Sequence, residues 1–267
     1  MSGGAAAERE RGTVFGEVAE LYDRARPGYP TALVDEVLAF APESHRVLEV
    51  GAGTGKATVA FGERGLEIVA LEPSVEMAAV ARRNCSRFPN VTVTVAKFED
   101  WPPEPEGFQL VVSAQAWHWV DADVRYSKAR EVLSRDGVLA LFWNRPLWED
   151  SAMRLSLDDV YERCAPELKA REPGFPGLKE PAVDEERAAE IESSGFFGPV
   201  NRHSFRWSKR YATQDWLALL QTQSDHRMLP TAQRADLLAA LAEVINLAGG
   251  SITMNYVTRL HLAPRSH

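Results

Sequence analysis

The stretch Val47-Leu48-Glu49-Val50-Gly51-Ala52-Gly53-Thr54-Gly55 constrains this chain more than any other: a short apolar strand runs straight into a turn with three glycines in five residues, and helical text follows. Residues without a Cβ let backbone come close to a ligand. The first N–H groups of the next helix lack partners within it and can meet a polar or charged ligand. Dinucleotide-binding turns read G-x-G-x-x-G. Here Lys56 stands where the third glycine belongs, and Gly55 falls one residue early, a spacing that disfavours a pyrophosphate cradle.

Around this turn, strand and helix patterns alternate. Residues 31–40 form a helix that Thr31 can cap, with Leu33, Val34, Val37 and Leu38 as its apolar side. Strands are expected at 46–50, 67–71, 91–96, 108–113 and 138–143, with helices after Gly55, over 75–87 and over 121–134. βαβ spacing of this kind implies a parallel, doubly wound sheet. Two more strands, near 199–207 and 252–262, bring the sheet to seven. Residues 146–193 are helical and charged, and helical text runs from Thr213 to Leu247, with Gly249-Gly250 as its stop. An amphipathic helix over 13–24 precedes the break Arg26-Pro27-Gly28-Tyr29-Pro30.

Composition narrows the partners. A chain of 267 residues hides roughly three quarters of its unfolded surface, enough for a proper core. A net charge of -8 argues against a nucleic-acid partner, since phosphate backbones are met by basic patches. Cys85 and Cys164 are isolated, no group has metal-ligand spacing, and no stretch reaches the length of a membrane span or the apolar run of a signal peptide. These features lead to the expectation of a cytoplasmic protein, monomer or homodimer, without a metal, with 1–267 as a single domain.

Residues 47–55 resemble the first motif of class I methyltransferases, which use S-adenosylmethionine (SAM) and release S-adenosylhomocysteine. Leu71-Glu72-Pro73-Ser74-x-x-Met77 is similar to that family's second motif. Glu72, 21 residues after Gly51, can accept two hydrogen bonds from a ribose diol, although dinucleotide enzymes place an acid similarly. The resemblance implies cofactor contacts from Glu49, Gly51, Ala52, Gly53, Thr54, Gly55, Glu72 and Pro73, with Met77 against the adenine. Ala96-Lys97-Phe98-Glu99 stands where the family often reads G-D-A-E. Lys97 therefore departs from the pattern, and adenine recognition would fall to the Phe98 backbone and Glu99.

Ser113-Ala114-Gln115-Ala116-Trp117-His118-Trp119 follows the fourth strand, and ligands in open parallel sheets sit beyond the carboxyl ends of the strands. The segment resembles a subset of the family similar to trans-aconitate methyltransferases, as do residues 22–30 and Trp216-x-x-x-Leu220-x-Thr222-x-Ser224. By that resemblance Ser113, Ala114 and Gln115 belong to the cofactor side. Trp117, His118, Trp119 and Tyr29 face a small-molecule acceptor; residues 146–193 and 208–250 sit where the family builds a helical substrate cap on its α/β Rossmann-like core, with Trp148, Phe175, Trp216, Gln223 and His226 as candidates to line it. The N-terminal helix, with Tyr22 and Arg26, closes over SAM, the arginine pairing with its carboxylate. His118 is the candidate general base; the alternative is a group that only shapes the turn. A dinucleotide oxidoreductase and a SAM-binding protein without catalysis stay open beside a methyltransferase.

Overall fold

The computed structural model describes residues 19–104, 106–147, 152–171 and 180–266. Trp148, Phe175 and most of the expected N-terminal helix lie outside the described residues. Within them the chain runs α1 (Ala19–Ala25), α2 (Thr31–Phe40), β1 (Arg46–Val50), α3 (Lys56–Gly62), β2 (Glu67–Leu71), α4 (Val75–Asn84), β3 (Val91–Thr94) and β4 (Phe108–Ala114). It continues through a 3-10 turn (Trp117–Trp119), α5 (Arg125–Val132), β5 (Leu133–Leu147), α6 (Ala152–Cys164), α7 (Pro166–Arg171), α8 (Glu180–Ser193), β6 (Asn201–Ala212), α9 (Thr213–Gln221), α10 (Ser224–Arg227), α11 (Thr231–Leu247) and β7 (Ser251–Pro264).

The strands form one seven-stranded sheet ordered β3-β2-β1-β4-β5-β7-β6. Strands β1 to β5 pair in parallel, while β7 runs antiparallel to both β5 and β6. A parallel sheet covered on both faces needs strands that are apolar on both faces. Val47, Ile68, Leu110, Val112, Ala140 and Phe142 join Leu33, Val34 and Val37 of α2 and Phe61 of α3 in one buried cluster. The alternating residues Leu48, Val50, Val111, Leu139, Leu141 and Trp143 join Ala129 and Val132 of α5 and Ile191 of α8 in another. A third cluster builds the cap, where Leu157 and Tyr161 of α6, Trp216 and Leu220 of α9, and Leu237 and Leu241 of α11 pack on Tyr211, Ile252 and Tyr256.

Several expected boundaries shift, each for a local reason. The third strand stops at Thr94 because its partner β2 ends at Leu71. The fifth begins five residues early, at Leu133, because Phe108 pairs with Leu133 and Leu110 with Val138, leaving residues 134–137 to bulge outward. It also runs on to Leu147, held by β7, whose pairing continues to Asn255. The helical text over 213–247 divides into three helices; Pro230 precedes the last of them and removes a helical N–H. Thr31 is the first residue of α2 rather than its cap, and extended Pro30 precedes it without a side-chain bond.

Candidate active site at the carboxyl ends of the strands

Order 3-2-1-4-5 places a topological switch between β1 and β4, and the loops leaving those strands converge there. Leaving β1, the N–H groups of Gly51 and Ala52 both donate to the Leu71 carbonyl at 2.9 Å, which clamps the turn to β2. Gly51 has φ +72° and no room for a side chain: a Cβ there would stand 2.3 Å from the Cβ of Ala116. Gly53 has φ +58°, but a Cβ there would meet only the Cε of Met77, at 3.8 Å, so the loop presents open backbone. Gly55 caps α3 in the left-handed region. The three alternate glycines therefore do separate jobs, one of them consistent with a ligand passing close by.

Two carboxylates bracket the turn. Glu72 accepts the Gly53 N–H at 2.8 Å on Oε2 and the Ser74 N–H at 3.0 Å on Oε1. Burial raises its pKa above the usual carboxylate value against these two donors. Glu49 is 1% exposed, and neither of its oxygens has a hydrogen-bond partner among the described residues. Burial, its largest cause, pushes the Glu49 carboxyl up to about 7; the nearby Thr58 hydroxyl offsets part of this without a bond of normal geometry, and the charge of Glu72 adds to it. The Thr54 hydroxyl is likewise buried and unpaired. Buried polar atoms are normally satisfied, so this concentration of unmet groups beside an open loop is the clearest sign of a ligand site.

α1 closes one side of the same region. Asp23 accepts from Asn84 Nδ2 at 3.0 Å, and that amide also donates to the Thr54 carbonyl at 2.9 Å. Lys56 lies 3.8 Å from Asp23. Tyr22 packs with Ala19 against Met77 and Val80. The Arg26 guanidinium sits 5.1 Å over the Tyr22 ring and donates to the Thr222 hydroxyl at 2.8 Å and carbonyl at 2.9 Å. Arg26, expected at the cofactor carboxylate, is thus engaged by the cap. Thr222 as its partner was not foreseen, because nothing local in the sequence links positions 196 residues apart. Tyr29 meets Phe142 edge-on at 5.0 Å; burial raises its hydroxyl well above the ordinary value, with Tyr22, Glu49 and Arg26 as charged or polar neighbours.

The segment after β4 divides between core and site. Ser113 is fully buried and donates to the Val50 carbonyl at 2.8 Å, a bond between strands rather than an exposed cofactor group. Gln115 has φ +63°, the one non-glycine residue with positive φ among those described. Its amide donates to the Asn144 carbonyl at 3.1 Å. Left-handed backbone at a bulky residue is held in place by surrounding bonds and gathers at functional sites. Trp117, expected on the acceptor wall, is 2% exposed and packs between Phe98 at 5.8 Å and Tyr126 at 5.7 Å, in the core. Glu99, expected at the adenine edge, accepts the Asp121 N–H at 3.0 Å and anchors the end of the 3-10 turn. Lys97 and Pro73 are exposed, and Ala114 is half-buried.

His118 points outward with its ring 4.6 Å from that of Trp119. Its surface reaches solvent, yet enough protein surrounds the ring for desolvation to be the main cause that holds its pKa down to about 4, aided by the charges of Arg187, Arg145 and Arg125. Trp216 and His226, expected to line the cap, are instead buried within its core. His226 takes part in a chain from Tyr161 Oη at 2.7 Å to Asp225 Oδ1 at 2.8 Å. Gln223 precedes α10 and is half-buried. Aromatic residues serve a core and a binding wall equally well, and the sequence carries no mark that separates the two. Asn144, whose carbonyl holds Gln115 and whose side chain holds the Gly28 carbonyl, was missed because it lies on a strand extension outside the recognisable motifs.

The fold and this site define a Rossmann-like nucleoside-cofactor domain with a cap. Comparison with known proteins narrows the class. Residues 47–137 match the family model described as a methyltransferase domain. The uncharacterized methyltransferase C25B8.09 of Schizosaccharomyces pombe is 30% identical over 229 residues, covering 84% of each chain. The uncharacterized methyltransferase Rv3342 of Mycobacterium tuberculosis is 38% identical over 136 residues, 51% of this chain and 54% of the relative, so that match spans about half of the mycobacterial protein. A solved structure from Anaeromyxobacter dehalogenans, given as a type II methyltransferase, has the same fold with a TM-score of 0.61 at 24% identity, covering 90% of this chain and 97% of that one. The chain belongs to the class I SAM-dependent methyltransferases, a family whose cofactor is SAM. The unmet oxygens of Glu49, the unpaired Thr54 hydroxyl and the open backbone at Gly53 fit such a group.

Proposed function

We propose that this chain transfers a methyl group from SAM to an oxygen, nitrogen or carbon of a small molecule. The observation that carries the reading is the pairing of a buried, unpartnered Glu49 with an open Gly53 loop whose N–H already holds Glu72. SAM, when bound, supplies a methyl on a positively charged sulfur, and sulfonium is a good leaving group. The residues therefore have to orient, enclose and exclude water more than they have to activate. Glu49 and Glu72 offer acceptors for the hydrogen-bond donors of the cofactor, Glu72 toward a ribose diol. The loops after β1, β2 and β4 provide the cradle, with Met77, Phe98 and Glu99 on its adenine side. Tyr22, Arg26 and Tyr29 form the side that α1 closes. Trp119 and His118 stand where the acceptor approaches, and the likeness of residues 113–121 to trans-aconitate methyltransferases supports a small acceptor.

His118 held at about 4 is neutral at pH 7, but it is a poor base, since proton transfer works best when the pKa lies near the working pH. We therefore assign it a positioning role toward a nucleophile that needs no strong base. Incubation with SAM and a library of small acceptors, read by mass spectrometry of S-adenosylhomocysteine, tests the activity. Product above the acceptor-free background with at least one compound is expected; SAM binding without turnover on any acceptor favours a regulatory subunit. On the active acceptor, His118→Gln should keep its rate within about tenfold, whereas loss of the ~10²–10⁴-fold that a general base supplies would reinstate His118 as the base.

A further inference from the structure

Gln115 directly follows β4, and among the described residues it alone, apart from glycines, has its backbone in the left-handed region, at φ +63°. That conformation is costly for a residue with a Cβ and free for glycine, so the side chain is what the strain keeps in place. Its neighbours hold it there. The Gln115 N–H donates to the Phe142 carbonyl at 3.0 Å, and Nε2 donates to the Asn144 carbonyl at 3.1 Å. A carbonyl only accepts, so this bond fixes which end of the amide faces β5. Asn144 is itself held, since its side chain spans the Gly28 carbonyl at 2.9 Å and the Thr258 hydroxyl at 2.6 Å. The other end of the amide, Oε1, receives no donor from the described residues, and the residue is half-buried. Next along the chain, Ala116 packs so closely on the glycine turn that a Cβ on Gly51 would stand 2.3 Å from its Cβ. Gln115 therefore stands between the cofactor turn and β5, at the end of the sheet where ligands of open parallel sheets sit.

We infer that Gln115 holds the methyl acceptor, and that the acceptor is an amine nitrogen bearing hydrogen, whose N–H donates to Gln115 Oε1. The inference rests on the methyltransferase reading and names the acceptor class within it. Oε1 only accepts, so it repels a carboxylate and finds no hydrogen on a tertiary amine. A hydroxyl could donate to it, but an amide does not remove a proton, and His118, held at about 4, is a poor base for that step. A free amine needs no base before transfer. Its nitrogen lone pair forms the bond to the methyl carbon, and the carbon–sulfur bond breaks with its electron pair going to sulfur. The nitrogen, now positive, then loses a proton to water. As the nitrogen gains charge its N–H becomes a stronger donor, so the bond to Oε1 tightens toward the transition state.

A library of matched compounds tests this, each primary or secondary amine set beside its N,N-dimethyl counterpart and the carboxylic acid of the same skeleton. Mass spectrometry of the methylated products formed with SAM should show turnover on the N–H members roughly tenfold or more above either counterpart. Gln115→Met keeps the length of the side chain without its amide. It should lower kcat by about ten- to a hundredfold, change KM less, and erase the preference for N–H over N,N-dimethyl, all with unchanged affinity for S-adenosylhomocysteine, which also reports folding. If Gln115→Met does not fold, Gln115→Gly, free of the left-handed strain, carries the same test. Faster turnover on a carboxylate or a tertiary amine, or an N–H preference that survives the substitution, overturns the inference. So does a library without any turnover while S-adenosylhomocysteine still binds. Absence of S-adenosylhomocysteine binding to the unsubstituted protein would instead overturn the methyltransferase reading.

Discussion

Gly51 and Gly53 separate folding from binding at the level of single residues. Gly51→Ala forces a Cβ to within 2.3 Å of Ala116, so a strain cost of about 1–2 kcal/mol for left-handed backbone is joined by ~1–3 kcal/mol of overpacking. Thermal melting should fall by several degrees. Gly53→Ala meets only Met77, at 3.8 Å, so it should cost about 1–2 kcal/mol of backbone strain alone while calorimetry shows SAM affinity reduced at least tenfold. Equal melting losses in the two variants would contradict this division. Glu49 gives a pH test. Its carboxyl sits at about 7 in the folded chain against an ordinary 4.5. Between those values the folded state holds a proton that the unfolded state has lost, so stability falls as pH rises through this window and stays lost above it. Glu49→Gln should therefore stabilise the ligand-free protein at pH 8 by up to ~3 kcal/mol, leave it little changed at pH 4, and weaken SAM binding. Urea unfolding at both pH values reads the difference, with a shallower slope left by Glu72, whose carboxyl is raised in the same direction. The glycine turn and the two acids were read through the resemblance of 47–55 and 71–77 to family motifs, and the fold brings the Glu72 carboxylate onto the Gly53 N–H and buries Glu49 near the end of β1. Trp117 and Trp216 were not legible as core residues, since only packing decides whether an indole faces a ligand or a core.

Among the elements, the long antiparallel ribbon of β5, β6 and β7 connects the site to the cap, and Asn144 is its junction. Its side chain donates to the Gly28 carbonyl at 2.9 Å and accepts from the Thr258 hydroxyl at 2.6 Å, which itself accepts from the Trp207 indole at 2.8 Å. Its main-chain carbonyl meanwhile holds Gln115. Asn144→Leu preserves volume but leaves buried partners unmet, at about 1–3 kcal/mol for each. We expect urea unfolding to show a loss of at least 2 kcal/mol together with faster amide exchange in residues 26–30; a loss below about 0.5 kcal/mol, the range of an ordinary surface change, would remove Asn144 from this role. The alternation of strands with helices announced β1, β2 and β4 closely, because each lies inside the sheet and is mostly apolar, while β3, Val-Thr-Val-Thr at the sheet edge, stops short of its expected end. The ribbon did not announce its length. β6 alternates between more and less exposed residues along most of its course, and such strands extend as far as their partners allow, which is a property of pairing rather than of local text.

For the whole molecule, the sheet order and the antiparallel β7 assemble loops from β1, β2 and β4, helix α1 and the cap around one place, and the chain's membership of its family agrees with that assembly. None of the described helices is long and apolar enough to cross a membrane. The one alternative that shares the strand, the glycine turn and the acid is a dinucleotide site, and the two part at Lys56, which replaces the third glycine. Calorimetry of SAM, S-adenosylhomocysteine and NADH against the same preparation tests the assignment most directly. Binding at 100 times the dissociation constant adds about 2.7 kcal/mol of stability, so melting should rise by several degrees with SAM or S-adenosylhomocysteine, with one site per chain, and hardly at all with NADH. A shift with NADH, and none with SAM at millimolar concentration, would contradict it.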